Sequence, residues 1–278
     1  GIICQWAHTY NISDGDLRSI VATFTSVFPD ATLWLVGSDD LLMVASNAPL
    51  APRLGNLARS WNRAGVAADL ATVKVSDPFS ILSLYGGGAA ELQAYAAGAD
   101  LLTDDRMTLE FSGPRELHRS NATDNNAQLA ALAKPEAEPA AIKAARTGAT
   151  AESWRHRAEM LAHSDMHDAA YDDFVRALSI DHHDEPSLSQ IVREAVLTGR
   201  AADALSWVRG LTINDAPHVP TLVALSQLLE ATGAHAEAIA TATRARQLAP
   251  ADARGAQQLA SLHAEAGDLT ALDQAVET

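Results

Sequence analysis

Thr103-Asp104-Asp105-Arg106 sets two neighbouring carboxylates beside a guanidinium. Paired carboxylates attract positive charge, so these residues offer one chemistry, the retention of a cation or a polyamine. Short Thr and Asp side chains also accept backbone N–H groups in a turn, with Arg106 neutralising one carboxylate, and this structural reading is the simpler. Glu110, beside Phe111, reads as a solvated or paired strand residue. Gly86-Gly87-Gly88 lacks the Gly-Lys-Ser/Thr that completes a phosphate loop and is predicted to be a plain loop, not a strand-to-helix turn. His163 and His167 straddle a predicted helix–helix turn, and His182-His183 lies between Asp181 and Asp184, so surface histidines are expected and no metal site. Cys4 sits in an apolar run with no His–Asn arrangement and reads as a small buried hydrophobe. No residue is assigned a catalytic role.

Composition limits what such residues serve. The chain has 278 residues, 47% of them apolar, enough to bury a sizeable core in one large domain or two smaller ones. Lys and Arg number 20 against 35 Asp and Glu, and the resulting net charge of −15 repels phosphate backbones and anionic membrane surfaces. Nucleic acid is therefore excluded as a partner. The single cysteine suits a reducing compartment, and no run of about 18 apolar residues predicts a membrane span. A cytoplasmic protein, or the cytoplasmic portion of a larger one, is expected.

The elements that must position these residues change character along the chain. "GIICQW" reads as a strand and "SDGDLRSIVATFTSVF" as a helix, with Ser13 as N-cap, Asp16 three residues on, and Ile20, Phe24 and Val27 or Phe28 on one face. "ATLWLVG" and "DLLMVAS" flank Gly37-Ser38-Asp39 as a hairpin. Residues 115–150 carry Asn, Pro and Ala with little periodicity beyond one helical turn at Gln128–Ala133, and read as a tether. From Ala151 the chain is rich in Ala and Leu at helical spacing.

That last part repeats. Gly199, Gly233 and Gly267 recur at a step of 34 residues, with Asp165 in the same phase one period earlier. Five residues after these turns come Ala170, Ala204, Ala238 and Leu272, where two helices touch. Trp154, Phe174, Ala177 and Pro250 fill further slots, and the pattern resembles tetratricopeptide repeats over 151–184, 185–218, 219–252 and a partial 253–278. The resemblance implies helix–turn–helix pairs stacked side by side. Their concave lining is expected from Glu152, Arg155 and Glu159, then Ser189 and Arg193, then Val223 and Gln227, a groove of mixed charge for a peptide or helix.

The first part narrows on particular residues. "GIICQW", "SVFPDATLWLVG" and "LLTDDRMTLEFSGPR" together resemble the C-terminal half of bacterial spermidine synthase-like proteins, the aminopropyltransferase family, above all the long versions with tetratricopeptide repeats behind that domain. The most specific motif is Thr103-Asp104-Asp105-Arg106 followed by Leu109-Glu110-Phe111. What the resemblance implies is the closing section of a Rossmann-like class I methyltransferase fold, where the fifth strand and its helix are followed by an antiparallel pair at the sheet edge. Gln5 then stands where family enzymes place a Gln near the substrate pocket, while the family's Tyr-Pro-Ser-Gly segment is replaced by "VGSDD".

The expected fold class is thus α/β followed by all-α: a spermidine synthase-like section over 1–114, a linker over 115–150 and a tetratricopeptide solenoid over 151–278. Family members carry the nucleotide loop and catalytic Asp before the fifth strand, so the chain is expected to be the C-terminal portion of a longer protein and inactive alone. It would have no cofactor of its own, decarboxylated S-adenosylmethionine being a substrate of the parent. The other reading is a non-catalytic scaffold in which a vestigial platform carries a peptide-binding repeat domain. The partners expected are a protein or peptide at the repeats and a second copy of the chain.

Overall fold

A computed structural model describes residues 1–116, 122–214, 216 and 218–276. The chain divides into two compact units, the first comprising Gly1–Ala149 with His163–Asp165, the second Thr150–Ala162 and the chain from Met166 onward.

The first unit opens with β1 (Ile2–His8), α1 (Asp14–Val27), β2 (Thr32–Val36) and β3 (Asp40–Ser46). Ser13 caps α1 as its sequence suggests, its hydroxyl accepting the Asp16 N–H at 3.1 Å. Gly37, at φ +66°, closes the β2–β3 hairpin in a conformation costly for any residue with a Cβ. Short helices α2 (Ala51–Leu54), α3 (Leu57–Trp61), α4 (Val66–Ala71) and α5 (Pro78–Leu82) follow, then β4 (Tyr85–Gly87) and α6 (Ala89–Tyr95). The sheet has four strands in the order β1-β3-β2-β4, each antiparallel to its neighbour. β1 and β2 therefore run the same way with β3 inserted between them.

Both faces of this sheet are covered over β2 and β3. Leu33, Leu41 and Met43 pack with Leu17 and Val21 of α1 and Leu92 of α6, whereas Trp34 and Tyr85 pack on the other face with Leu82 of α5. Double coverage explains why Leu33–Val36 is apolar at every position instead of alternating. The outer edge of β1 pairs with no strand among the described residues, and Ile2 and Trp6 are 63% and 50% exposed. Cys4 is exposed as well, correcting its reading as a buried residue: burial in a strand requires a neighbour on that edge as well as an apolar sequence.

Three further expectations are corrected. Gly86-Gly87-Gly88 is a strand followed directly by a helix, not a loop; Tyr85–Gly87 pairs with β2, and Gly88 precedes α6 with its N–H donated to Glu91 Oε2 at 3.0 Å. Glycine is required there by close approach, since a Cβ on Gly88 would meet the Tyr85 hydroxyl at 2.8 Å. Glu110 lies in a helix, α7 (Thr108–Glu116), in which Phe111 points to solvent and Leu109 packs on the core. The segment read as a tether holds α8 (Ala122–Ala130) and α9 (Ala140–Thr147). Leu129 of α8 is fully buried in the α1-side core and Ile142 of α9 in the other. One deeply buried apolar side chain per helix is too sparse a signal for hydrophobic periodicity to reveal.

The second unit is entirely helical among its described residues: α10 (Ala151–His163), α11 (His167–Ile180), α12 (Glu185–Leu197), α13 (Ala201–Asn214), α14 (Val219–Ala231), α15 (His235–Leu248), α16 (Ala253–Glu265) and α17 (Leu269–Val276). The pairs begin at Ala151, Glu185, Val219 and Ala253, a constant step of 34 residues. Asp165, Gly199, Gly233 and Gly267 all adopt positive φ in the turns inside the pairs. α12 packs on α14 and α14 on α16, while α13 and α15 pack on the first helix of the next pair. Among the described residues no helix is long and apolar enough to cross a membrane.

Ala170, Ala204 and Ala238 are fully buried at the helix crossings. Ala204→Phe is accordingly expected to destabilise the second unit by about 1–3 kcal/mol through overpacking. Arg193→Ala, at an exposed site, should change stability by less than about 0.5 kcal/mol. Thermal melts of the two variants check the helical phase.

Candidate functional sites

On the first unit, the strand β1 runs into the loop Thr9–Ser13, where Asn11 at φ +51° turns the chain back. Alternation along β1 puts Trp6 and His8 on one face, and the turn stacks Tyr10 on His8 with ring centroids 4.4 Å apart. Trp6 and His8 centroids are 5.6 Å apart, so three rings line up along the exposed edge. They form one side of a cleft of about 590 Å³, walled elsewhere by Ile12, Ile20 and, from α7, Leu109 and Pro114.

Gln5 opens on this cleft, its side-chain amide donating to the Trp6 carbonyl at 2.8 Å. The Trp6 indole N–H donates to Asp40 Oδ1 at 3.1 Å, which fixes the ring and sets a carboxylate at its rim. His8 Nδ1 lies 2.6 Å from the Tyr10 carbonyl; that acceptor holds the proton on Nδ1 and leaves Nε2 as an acceptor. Among the described residues no Lys or Arg lines the cleft. Such a surface suits a ligand with an apolar chain and an amine, held by ring faces and neutral acceptors.

Thr103, Asp104, Asp105 and Arg106 lie apart from the cleft lining. They make a tight turn in which the Arg106 N–H donates to the Thr103 carbonyl at 2.9 Å. Arg106 reaches Asp100 at 3.8 Å, where Asp104 or Asp105 was the expected partner. Side chains diverge from so tight a turn, and the exposed pair adds about 1 kcal/mol at most. The aromatic row escaped the sequence reading, although its signal is present: ring-bearing residues at 6, 8 and 10, the spacing of one strand face.

On the second unit, the first helices of successive pairs bring Ser189, Val223 and Gln227 together in a groove of about 290 Å³, as their phase predicts. Leu188, Pro220 and Ala224 complete its apolar part, and Gln257 and Gln258 of α16 its polar part. Arg193 is exposed outside this lining, and Arg155 and Glu159 are paired with each other at 3.1 Å. Arg155 also meets Asp184 at 3.3 Å, so it joins α10 to the start of α12 and does not line the groove.

One end of the groove is charged. Arg254 Nη1 donates to Glu185 Oε2 at 2.8 Å, and its Nε and Nη2 donate to Asp252. These residues stand 69 positions apart in the chain, close to two repeat periods, the signal by which they were findable. Hydrogen bonds from the Arg254 side chain hold Asp252 down to about 2. His218, stacked edge-on against His183 at 4.7 Å, is lowered from its ordinary value, chiefly by burial. Arg254→Met is expected to return Asp252 towards 3.8, read by carboxyl NMR titration. A depressed carboxylate stabilises the fold above its unfolded value of 3.8, and this contribution is lost as pH falls to about 2. The variant should therefore show a shallower loss of stability across that window.

His167, considered above as a metal ligand, lies 2.7 Å from Glu194 Oε2, a fully buried carboxylate that ties α11 to α12. Among the described residues no cluster of three or more His, Cys, Asp or Glu converges as a metal site would require. Comparison of the chain with protein-family models and with curated proteins yields no match.

Proposed function

We propose that residues 1–149 are the C-terminal section of a spermidine synthase-like fold, in which Gln5 and the aromatic row face an amine substrate, and that residues 150–278 are tetratricopeptide repeats that dock a peptide. The observation that carries the first half is Gln5, the one pocket residue implied by the resemblance, opening on a cleft of ring faces with no Lys or Arg among its described lining residues. Two parallel-running strands with an antiparallel strand inserted between them fit the edge of such a fold. The second half rests on four helix pairs at a step of 34 residues with positive φ at every internal turn. The family's Gly-rich nucleotide loop and catalytic Asp have no counterpart in this sequence, so the activity proposed for this chain is binding and not turnover.

Calorimetric titration of the full chain with putrescine and spermidine tests the amine site. Saturable binding that Gln5→Ala and Trp6→Leu each weaken about fivefold or more is expected, since a cation on a ring face contributes about 0.5–2 kcal/mol. Absence of binding, or binding indifferent to both substitutions, overturns the assignment. No aminopropyl transfer from decarboxylated S-adenosylmethionine to putrescine is expected, and turnover above background would contradict binding without catalysis.

A further inference from the structure

The groove on the second unit is lined by three glutamines. Gln258 is 9% exposed and lines the groove. Gln227, half-buried, and Gln257, exposed, line the same groove. Each amide offers both a donor and an acceptor, the complement of an extended peptide main chain. Beneath them Leu188, Val223 and Ala224 form an apolar floor for one or two aliphatic side chains.

The charged end sets the sign of the partner. Glu185 and Asp252 supply two carboxylates against the single guanidinium of Arg254, which Asp252 already holds through two nitrogens. Glu185 contributes only its Oε2 to Arg254, and its side chain remains half exposed. Residues 150–278 as a whole carry 9 Arg and no Lys against 19 Asp and Glu. An incoming cation is attracted and an incoming carboxylate repelled.

From these observations we infer that the groove binds an extended peptide bearing a Lys or Arg next to an aliphatic residue, its main chain on Gln227, Gln257 and Gln258 and its cation on Glu185. This inference rests on reading the second unit as peptide-docking repeats and adds the chemistry of the ligand.

The test uses three fluorescein-labelled dodecapeptides sharing a Ser/Ala/Leu frame that carries Lys, Gln or Glu at the same four positions. Fluorescence polarisation is measured against the full chain at low and physiological salt. The Lys peptide is expected to bind at least fivefold more tightly than the Gln peptide, and the Glu peptide more weakly than either. Glu185→Lys should reverse the order of the Lys and Glu peptides, and Gln258→Leu should weaken all three. Circular dichroism melts confirm that each variant folds. Equal binding of the Lys and Gln peptides, lost with Gln258→Leu, would overturn the basic preference and leave the peptide groove standing. No binding of any peptide, or binding that Gln258→Leu and Glu185→Lys leave unchanged, would overturn both.

Discussion

Gly255→Ala is expected to lower the melting temperature of the second unit by about 5 °C, although alanine is the better helix former. Gly255 sits inside α16 where that helix crosses α15, and a Cβ there would lie 2.6 Å from the Arg246 backbone nitrogen and 2.8 Å from its Cα. Backbone atoms cannot swing aside as a flexible side chain can, so the two helices must separate. The propensity gain of about 1 kcal/mol is set against an overpacking cost at or above about 3 kcal/mol. The net loss of about 2 kcal/mol corresponds to a few degrees per kcal/mol for a unit of this size. Gly210→Ala supplies the opposite sign, because a Cβ in that helix meets nothing within 4 Å and only the propensity gain remains. A rise of a degree or more is expected for it. If both variants stabilise, the close crossing of α15 and α16 is wrong, and with it the stacking that shapes the groove.

Asn125→Leu is expected to cost about 2–4 kcal/mol in chemical denaturation of the first unit. The Asn125 side chain is 1% exposed, and its amide donates to the carbonyls of Thr9 at 2.8 Å and Ile12 at 3.1 Å. Leucine keeps the volume and removes the donors, leaving two carbonyls without this partner at about 1–2 kcal/mol each. The loop those carbonyls belong to carries Tyr10, so the aromatic row should loosen too. Hydrogen exchange is expected to accelerate at Tyr10 through Ser13, and amine binding at the cleft to weaken alongside. A variant as stable as the parent would mean that residues 122–130 hang free, as composition alone suggests.

Helical phase was legible before any coordinates because it repeats. Gly199, Gly233 and Gly267 each need a left-handed backbone, and three such glycines at one step identify both the turns and, by subtraction, the helices between them. Ser13 and the Gly37 hairpin were legible for the same local reason: a cap or a tight turn is decided by a residue's own side chain and φ, with no distant partner. Gln5 was named from a resemblance, and Ser189, Val223 and Gln227 from their place in the period.

Tertiary structure alone decided the rest. The helices over 122–147 exist because Leu129, Ile142 and Asn125 find partners more than a hundred positions away or on the far side of the sheet, and none of these contacts leaves a periodic trace. The triglycine became a strand and a helix start because β2 lies beside it, and Cys4 stayed exposed because among the described residues nothing covers β1 there. The Glu185–Arg254 pair and the glutamine-lined groove likewise depend on stacking three helix pairs in space. Residue types and short-range geometry therefore determined the caps, turns and repeat phase of this protein. Which side chains face each other, and which are left facing a partner, was determined only by packing.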